Sequence, residues 1–133
     1  MVLGSGGRIM NTERYKELLE RWNDYNNPLS EEEVDELFEM IYDKVEAGER
    51  LLEVELNIIM EGSAIDTEIL DVGRKGWVEM RGIYEIRGHY WAIDYWDNDM
   101  CGWEVEAQVL QEVVEKAVVR KVWSFVKEEL NHV

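Results

Sequence analysis

Asp97, Asp99 and Gly102 stand at the first, third and sixth positions of a calcium-loop spacing, where carboxylates and a turning glycine wrap a hard cation. The fifth position would be Cys101 and the twelfth Gln108, and neither can act as the carboxylate ligand needed there. Residues 97–99 therefore read as a polar turn after a strand, and no metal is assigned. His89 and Cys101 offer a base and a nucleophile, but no third group at a recognisable spacing orients them. Phosphate-cradling glycine loops, zinc-binding cysteine pairs, His-Glu-x-x-His and Gly-x-Ser-x-Gly are all missing from the sequence. The expectation is a protein that is not an enzyme and that uses no cofactor.

The stretch that holds these residues, GHYWAIDYWDNDMCGWE at 88–104, has a different chemistry to offer. It sets Tyr90, Trp91, Tyr95, Trp96 and Trp103 among Asp94, Asp97, Asp99 and Glu104, without one Lys or Arg. As a strand, 89–96 points Trp91, Ile93 and Tyr95 to one side and Tyr90, Ala92, Asp94 and Trp96 to the other. Asp94 marks the second side as the wet one, which predicts exposed Tyr90 and Trp96 inside an acidic rim. Flat rings beside carboxylates supply area, cation–π faces and charge for an Arg- or Lys-rich partner.

A second acidic row supports that reading. Residues 31–46 carry Glu31, Glu32, Glu33, Asp35, Glu36, Glu39, Asp43 and Glu46 against a single base, Lys44. The first three gain from a helix N-terminus. The like-charge i,i+4 pairs Glu31–Asp35, Glu32–Glu36, Asp35–Glu39 and Glu39–Asp43 cost about 1–2 kcal/mol in sum, which an amphipathic helix can carry. Glu31, Glu32, Asp35, Glu36 and Glu39 join the candidate interface as a source of charge.

Composition limits the partner. The chain has 133 residues and a formal charge of −16, with 46% apolar residues and one proline. That describes one ordered domain, repelled by polyanions such as nucleic acid or an anionic membrane. A basic protein surface is the expected partner, with self-association as a further option. Cys101 is the single cysteine, so a reducing, cytoplasmic compartment is expected. No apolar run approaches the ~20 residues needed to span a bilayer. The Gly-rich opening 1–9 reads as an added expression segment or a flexible start, and 10–133 as a single α+β domain.

The elements that must position these groups follow from periodicity. Residues 12–26 predict a helix from Tyr15, Leu18, Leu19, Trp22 and Tyr25. Ser30 and Glu33 have capping-box spacing, and Val34, Leu37, Phe38, Ile41, Tyr42 and Val45 form the stripe of a second helix ending near Gly48. The two are expected as a helical hairpin. Leu52, Val54, Leu56, Ile58 and Met60 alternate with polar residues and predict a half-buried strand, with Ile59 as the misfit. Further strands are expected over 65–72 and 77–86, then over 89–96 after an Arg87-Gly88 turn, giving an antiparallel sheet of about four strands. Apolar pairs at 109/110, 113/114, 117/118 and 125/126 predict a closing helix over 109–130, with a long valine-rich strand as the alternative.

The last third of the chain, through Gly88, Tyr90, Asp94, Val114, Glu115, Lys116, Val118, Val119 and Trp123, resembles small acidic proteins encoded by bacteriophages. The resemblance favours a strand for 113–126. It implies an inhibitor of the anti-CRISPR or anti-restriction type, which occupies a nucleic-acid-binding groove by mimicking nucleic acid. No catalytic residue carries over. Against this interaction protein stands a small-molecule- or metal-binding enzyme with its site around residues 89–104, and a self-associating structural domain.

Overall fold

The helix best marked in the sequence forms where its cap predicts. In the computed structural model, which describes residues 11–118 and 121–126, α2 spans Glu31–Glu46. Ser30 Oγ accepts from the Glu33 amide at 3.2 Å while the Glu33 carboxylate accepts from the Ser30 amide at 3.1 Å, so two otherwise orphaned donors are satisfied. Leu37, Met40, Ile41 and Val45 are buried along one face. Gly48, at φ +72°, follows the last turn in the left-handed conformation that lets the chain leave the helix.

Helix α1 spans Thr12–Arg21 and is shorter than its apolar pattern suggested. The Asp24 carboxylate accepts from the Asn26 amide at 3.0 Å, a local turn that competes with continuation of the helix. Tyr25 is left in solvent at 98% exposure. Arginines bind α1 to α2. Arg14 forks onto Glu36 at 3.0 and 2.9 Å, and Arg21 onto Glu33 at 2.6 and 3.1 Å.

The expected strand over 52–60 is instead a helix, α3, at Glu53–Met60, preceded by the two-residue strand β1 at Arg50–Leu51. Leu56, Ile58, Ile59 and Met60 are buried on three sides, which helical geometry allows and a half-buried strand does not. Glu55, assigned to a wet face by alternation, is fully buried. Its carboxylate accepts from the Leu52 amide at 2.8 Å, from Lys44 Nζ at 2.5 Å and from the Tyr15 hydroxyl. A start-of-helix acceptor that also ties α1 and α2 together outweighs the period-two pattern.

The sheet then follows in order: β2 at Asp66–Val72, β3 at Val78–Ile86, β4 at His89–Asn98 and β5 at Gly102–Glu104. All pair antiparallel. Arg87 and Gly88 form a two-residue loop with φ of +52° and +80°, the mirror-image turn whose twist suits a hairpin. Over 109–118 and 121–125 the expected closing helix is not formed, while Val126 is helical. Residues 108–109 are strand β6 (Gln108–Val109), which pairs with β1, and β7 (Gln111–Val113) adds to β4 beside β5. Residues 114–118 and 121–125 are neither helix nor strand. Where the segment departs from the four-residue spacing, at Gln111–Val113, backbone pairing with the edge of β4 takes the place of helix. The opening segment 1–9 and the ends of the expected closing element, 119–120 and 127–133, lie outside the described residues.

Helices and sheet share one core. Leu18 of α1, Leu37 and Ile41 of α2, Leu56 and Ile58 of α3, Leu51 of β1 and Ile93 of β4 are fully buried. Each is worth about 1.5–3 kcal/mol relative to leaving it in water. Tyr84 and Ile86 join them from β3, with Trp91 and Tyr95 packed against the cluster. The inner face of the sheet is therefore spent on the helices, and its outer face is left for solvent. Among the described residues, no helix is long and apolar enough to cross a membrane.

Candidate interaction site

The β3–β4 register decides what the outer face carries. Glu79 stands opposite Trp96, Arg81 opposite Asp94, Ile83 opposite Ala92 and Glu85 opposite Tyr90. On the far edge Trp96 faces Glu104 of β5, and on the near edge Arg81 faces Glu68 of β2. Trp96 thus lies in a row between two carboxylates, with Glu79 on one strand and Glu104 on the other. Asp94, Glu106 and Gln108 complete an open groove of about 250 Å³ around it.

Two devices hold this groove in shape. Arg81 binds Asp94 in a fork at 2.7 and 3.0 Å and reaches Glu68 at 3.7 Å. The hydrogen bond to Asp94 raises the Arg81 pKa further above its already high value, so this guanidinium stays charged. Gln108 acts as a side-chain substitute for a strand. Its Oε1 accepts from the Asp94 amide at 3.0 Å, and its Nε2 donates to the Asp94 carbonyl at 2.9 Å and the Glu106 carbonyl at 3.0 Å. The edge of β4 is closed in the gap between β5 and β7, which fixes the loop carrying Glu106.

Trp96 and Tyr90 lie on the side of β4 expected from alternation, but both are half-buried rather than exposed. The Trp96 ring is backed by Gly73, where an added Cβ would come within 2.9 Å of the indole. Tyr90 contributes to a different groove, beside Val113. Asp94 is neutralised by Arg81, so it orients the site more than it charges it. Glu104 and Asp99 are exposed, while Asp97 falls on the opposite parity, across from Trp103. Burial raises the Tyr95 hydroxyl pKa, and the Asp97 carboxylate adds to that.

The Asn98 carboxamide organises the turn after β4. It accepts from the Met100 amide at 2.9 Å and the Cys101 amide at 3.3 Å, and donates to the Lys75 carbonyl at 3.1 Å. Among the described residues no three His, Cys, Asp or Glu side chains gather where they could hold a metal ion. His89 meets Glu112 at 2.8 Å, at the other end of β4 from Cys101.

The acidic row on α2 divides in two. Glu36 is held by Arg14, and Glu39 by Arg87 at 2.6 Å together with Asp43 at 2.9 Å and Glu46 at 2.7 Å. Much of the repulsion expected along this helix is thus relieved within the chain. Glu31, Glu32 and Asp35 are exposed and make no ion pair among the described residues. The α2 carboxylates and the groove are not one patch. Arg87 pins Glu39 at the turn end of β3–β4, whereas Trp96 lies seven residues along β4 from His89, roughly 23 Å at a strand's rise per residue.

Sequence reasoning missed Glu79, Glu106, Gln108 and Gly73 as parts of the site. Glu79 was accessible to it, since a two-residue turn at Arg87-Gly88 fixes every pairing along the hairpin. Neither a protein-family model, a curated protein nor a solved structure matches this chain.

Proposed function

We propose that the outer face of the sheet is a non-catalytic docking surface for a basic protein, with the Trp96 groove as its anchor point. The observation that supports this reading is the row Glu79–Trp96–Glu104, in which a ring lies between two carboxylates that make no ion pair among the described residues. An Arg or Lys side chain entering there gains a π face and two carboxylates at once. Arg81, the basic side chain of the central strands' outer face, is already engaged by Asp94 and does not repel it. Asp99 at the turn and Glu31, Glu32 and Asp35 on α2 add to the negative field that steers association. In its sharpest form the protein is a phage-type inhibitor that takes the place of nucleic acid on a nucleic-acid-binding protein.

Titration with an arginine-rich peptide, followed by calorimetry over a range of salt, tests the reading. The affinity should fall steeply with ionic strength, as exposed charges more than ~10 Å apart are screened at 0.1 M. Trp96→Ala and the double variant Glu79→Gln/Glu104→Gln should each weaken binding tenfold or more, about 1.4 kcal/mol. Salt-independent affinity, or unchanged binding by both variants, would sink it.

A further inference from the structure

The edge of the sheet and the chain that follows β7 form a second pair of complementary surfaces. Strand β2 pairs with β3 alone among the described residues, and all seven of its residues are exposed. Natural edges of this kind are commonly guarded by charged side chains, most often lysine. This one carries Asp66, Glu68 and Asp71 instead, beside Ile69 at 66% exposure and Val72 at 73%. Glu68 reaches Arg81, whereas among the described residues Asp66 and Asp71 each accept only from the next residue's amide.

The stretch 116–127, set between Glu115 and the pair Glu128-Glu129, has the opposite charge. From Lys116 to Lys127 the sequence contains Lys116, Arg120, Lys121 and Lys127 and no acid, in a chain of net charge −16. Val114, Val118, Val122, Trp123, Phe125 and Val126 are exposed. Residues 114–118 and 121–125 are in neither helix nor strand, ahead of the helical Val126, and their β-branched, aromatic composition suits a strand. Val113 to Lys116 line one side of a groove of about 560 Å³ whose other side is formed by residues 65–68, so the segment leaves the body of the protein close to β2.

We propose that two copies of this chain associate by reciprocal exchange, each adding its segment after Val113 to the β2 edge of the other. The edge supplies unpaired backbone groups and carboxylates, and the segment supplies backbone groups, lysines and apolar side chains. Because the segment emerges near the same edge that receives it, one two-fold axis satisfies both exchanges. This surface is separate from the Trp96 groove, so the inference does not rest on the docking function proposed above.

Sedimentation velocity on the full chain, over a concentration series with reductant present, is the test. The wild type should run at about twice its 15.7 kDa mass at the higher concentrations. Lys116→Glu/Lys121→Glu, in an exposed segment that leaves the core untouched, should shift it to monomer. Ile69→Lys, which installs an edge guard on β2, should do the same. Combining Asp66→Lys/Asp71→Lys with Lys116→Glu/Lys121→Glu should restore the dimer, because both charges are then reversed. A monomer at every concentration would overturn the proposal, including the case where the segment pairs with its own β2. So would a dimer that neither the segment variant nor Ile69→Lys disturbs.

Discussion

Gly73 backs the indole of Trp96. A methyl group there would lie 2.9 Å from Trp96 Cζ3 and 3.1 Å from the Trp77 carbonyl oxygen. The glycine amide also donates to that carbonyl at 2.8 Å, which closes the turn between β2 and β3. The ring orientation in the groove therefore depends on an absent side chain two strands away.

Gly73→Ala should displace the indole or open the turn, because carbonyl and ring crowd the new methyl from two directions. The expected cost is about 1–3 kcal/mol, the usual range for overpacking. Denaturant unfolding measures it, and the shift in Trp fluorescence should accompany a weaker response to an arginine-rich peptide. Unchanged stability together with unchanged emission would show that the ring is not held there.

Acid should loosen the contact between α1 and α2. The Arg21 guanidinium, followed by the Ser30 amide, lowers the Glu33 carboxyl pKa from 4.5 to about 2. A carboxyl with a depressed folded value stabilises fully above its unfolded pKa, and that contribution is lost as pH falls through the folded one. The thermal midpoint of wild type should exceed that of Glu33→Gln at neutral pH. The gap should narrow as pH falls from about 4.5 to about 2. A gap that stays constant over that window would assign the difference to the cap geometry alone.

The buried Glu55 joins three elements, so its removal should be costly. Glu55→Leu leaves the Lys44 ammonium and the Tyr15 hydroxyl without their acceptor, and a cost of about 3–5 kcal/mol follows for breaking a buried charged pair. Tyr15→Phe removes one hydrogen bond to a charged group and should cost about 1.5–3 kcal/mol. Burial and the Glu55 carboxylate both raise the Tyr15 pKa, so the phenol remains the donor across ordinary pH. Chemical unfolding of the two variants should rank them in that order.

Legibility in the sequence divided along physical lines. Helix α2 could be read because its cap and its stripe are local, and β3–β4 because a two-residue turn and alternation agree. Helix α3 could not, since Glu55 looks like a surface residue until Lys44 and Tyr15 are brought to it from eleven and forty residues away. Ile59, the residue that broke the alternation, was the one local sign. The closing segment misled because valine pairs four apart fit a helix, while its first residues, 111–113, pair with the distant edge of β4. At the site, alternation placed Trp96, Asp94 and Tyr90 on the correct side. It could not show that Arg81 neutralises Asp94, that Gly73 backs the ring, or that Arg14 and Arg87 occupy Glu36 and Glu39. Those depend on tertiary partners that no spacing encodes.

Cys101 is exposed in the turn joining β4 to β5, the strands that present Trp96 and Glu104, and it is the chain's single thiol. A maleimide dye therefore attaches at one defined spot, in the turn beyond the Trp96–Glu104 pair, and an arriving occupant can be followed by quenching without engineering a new handle. The same atom makes air a reagent. Without reductant, two molecules can be joined sulfur to sulfur at this turn, producing a covalent pair whose mass matches that of strand exchange but whose geometry does not.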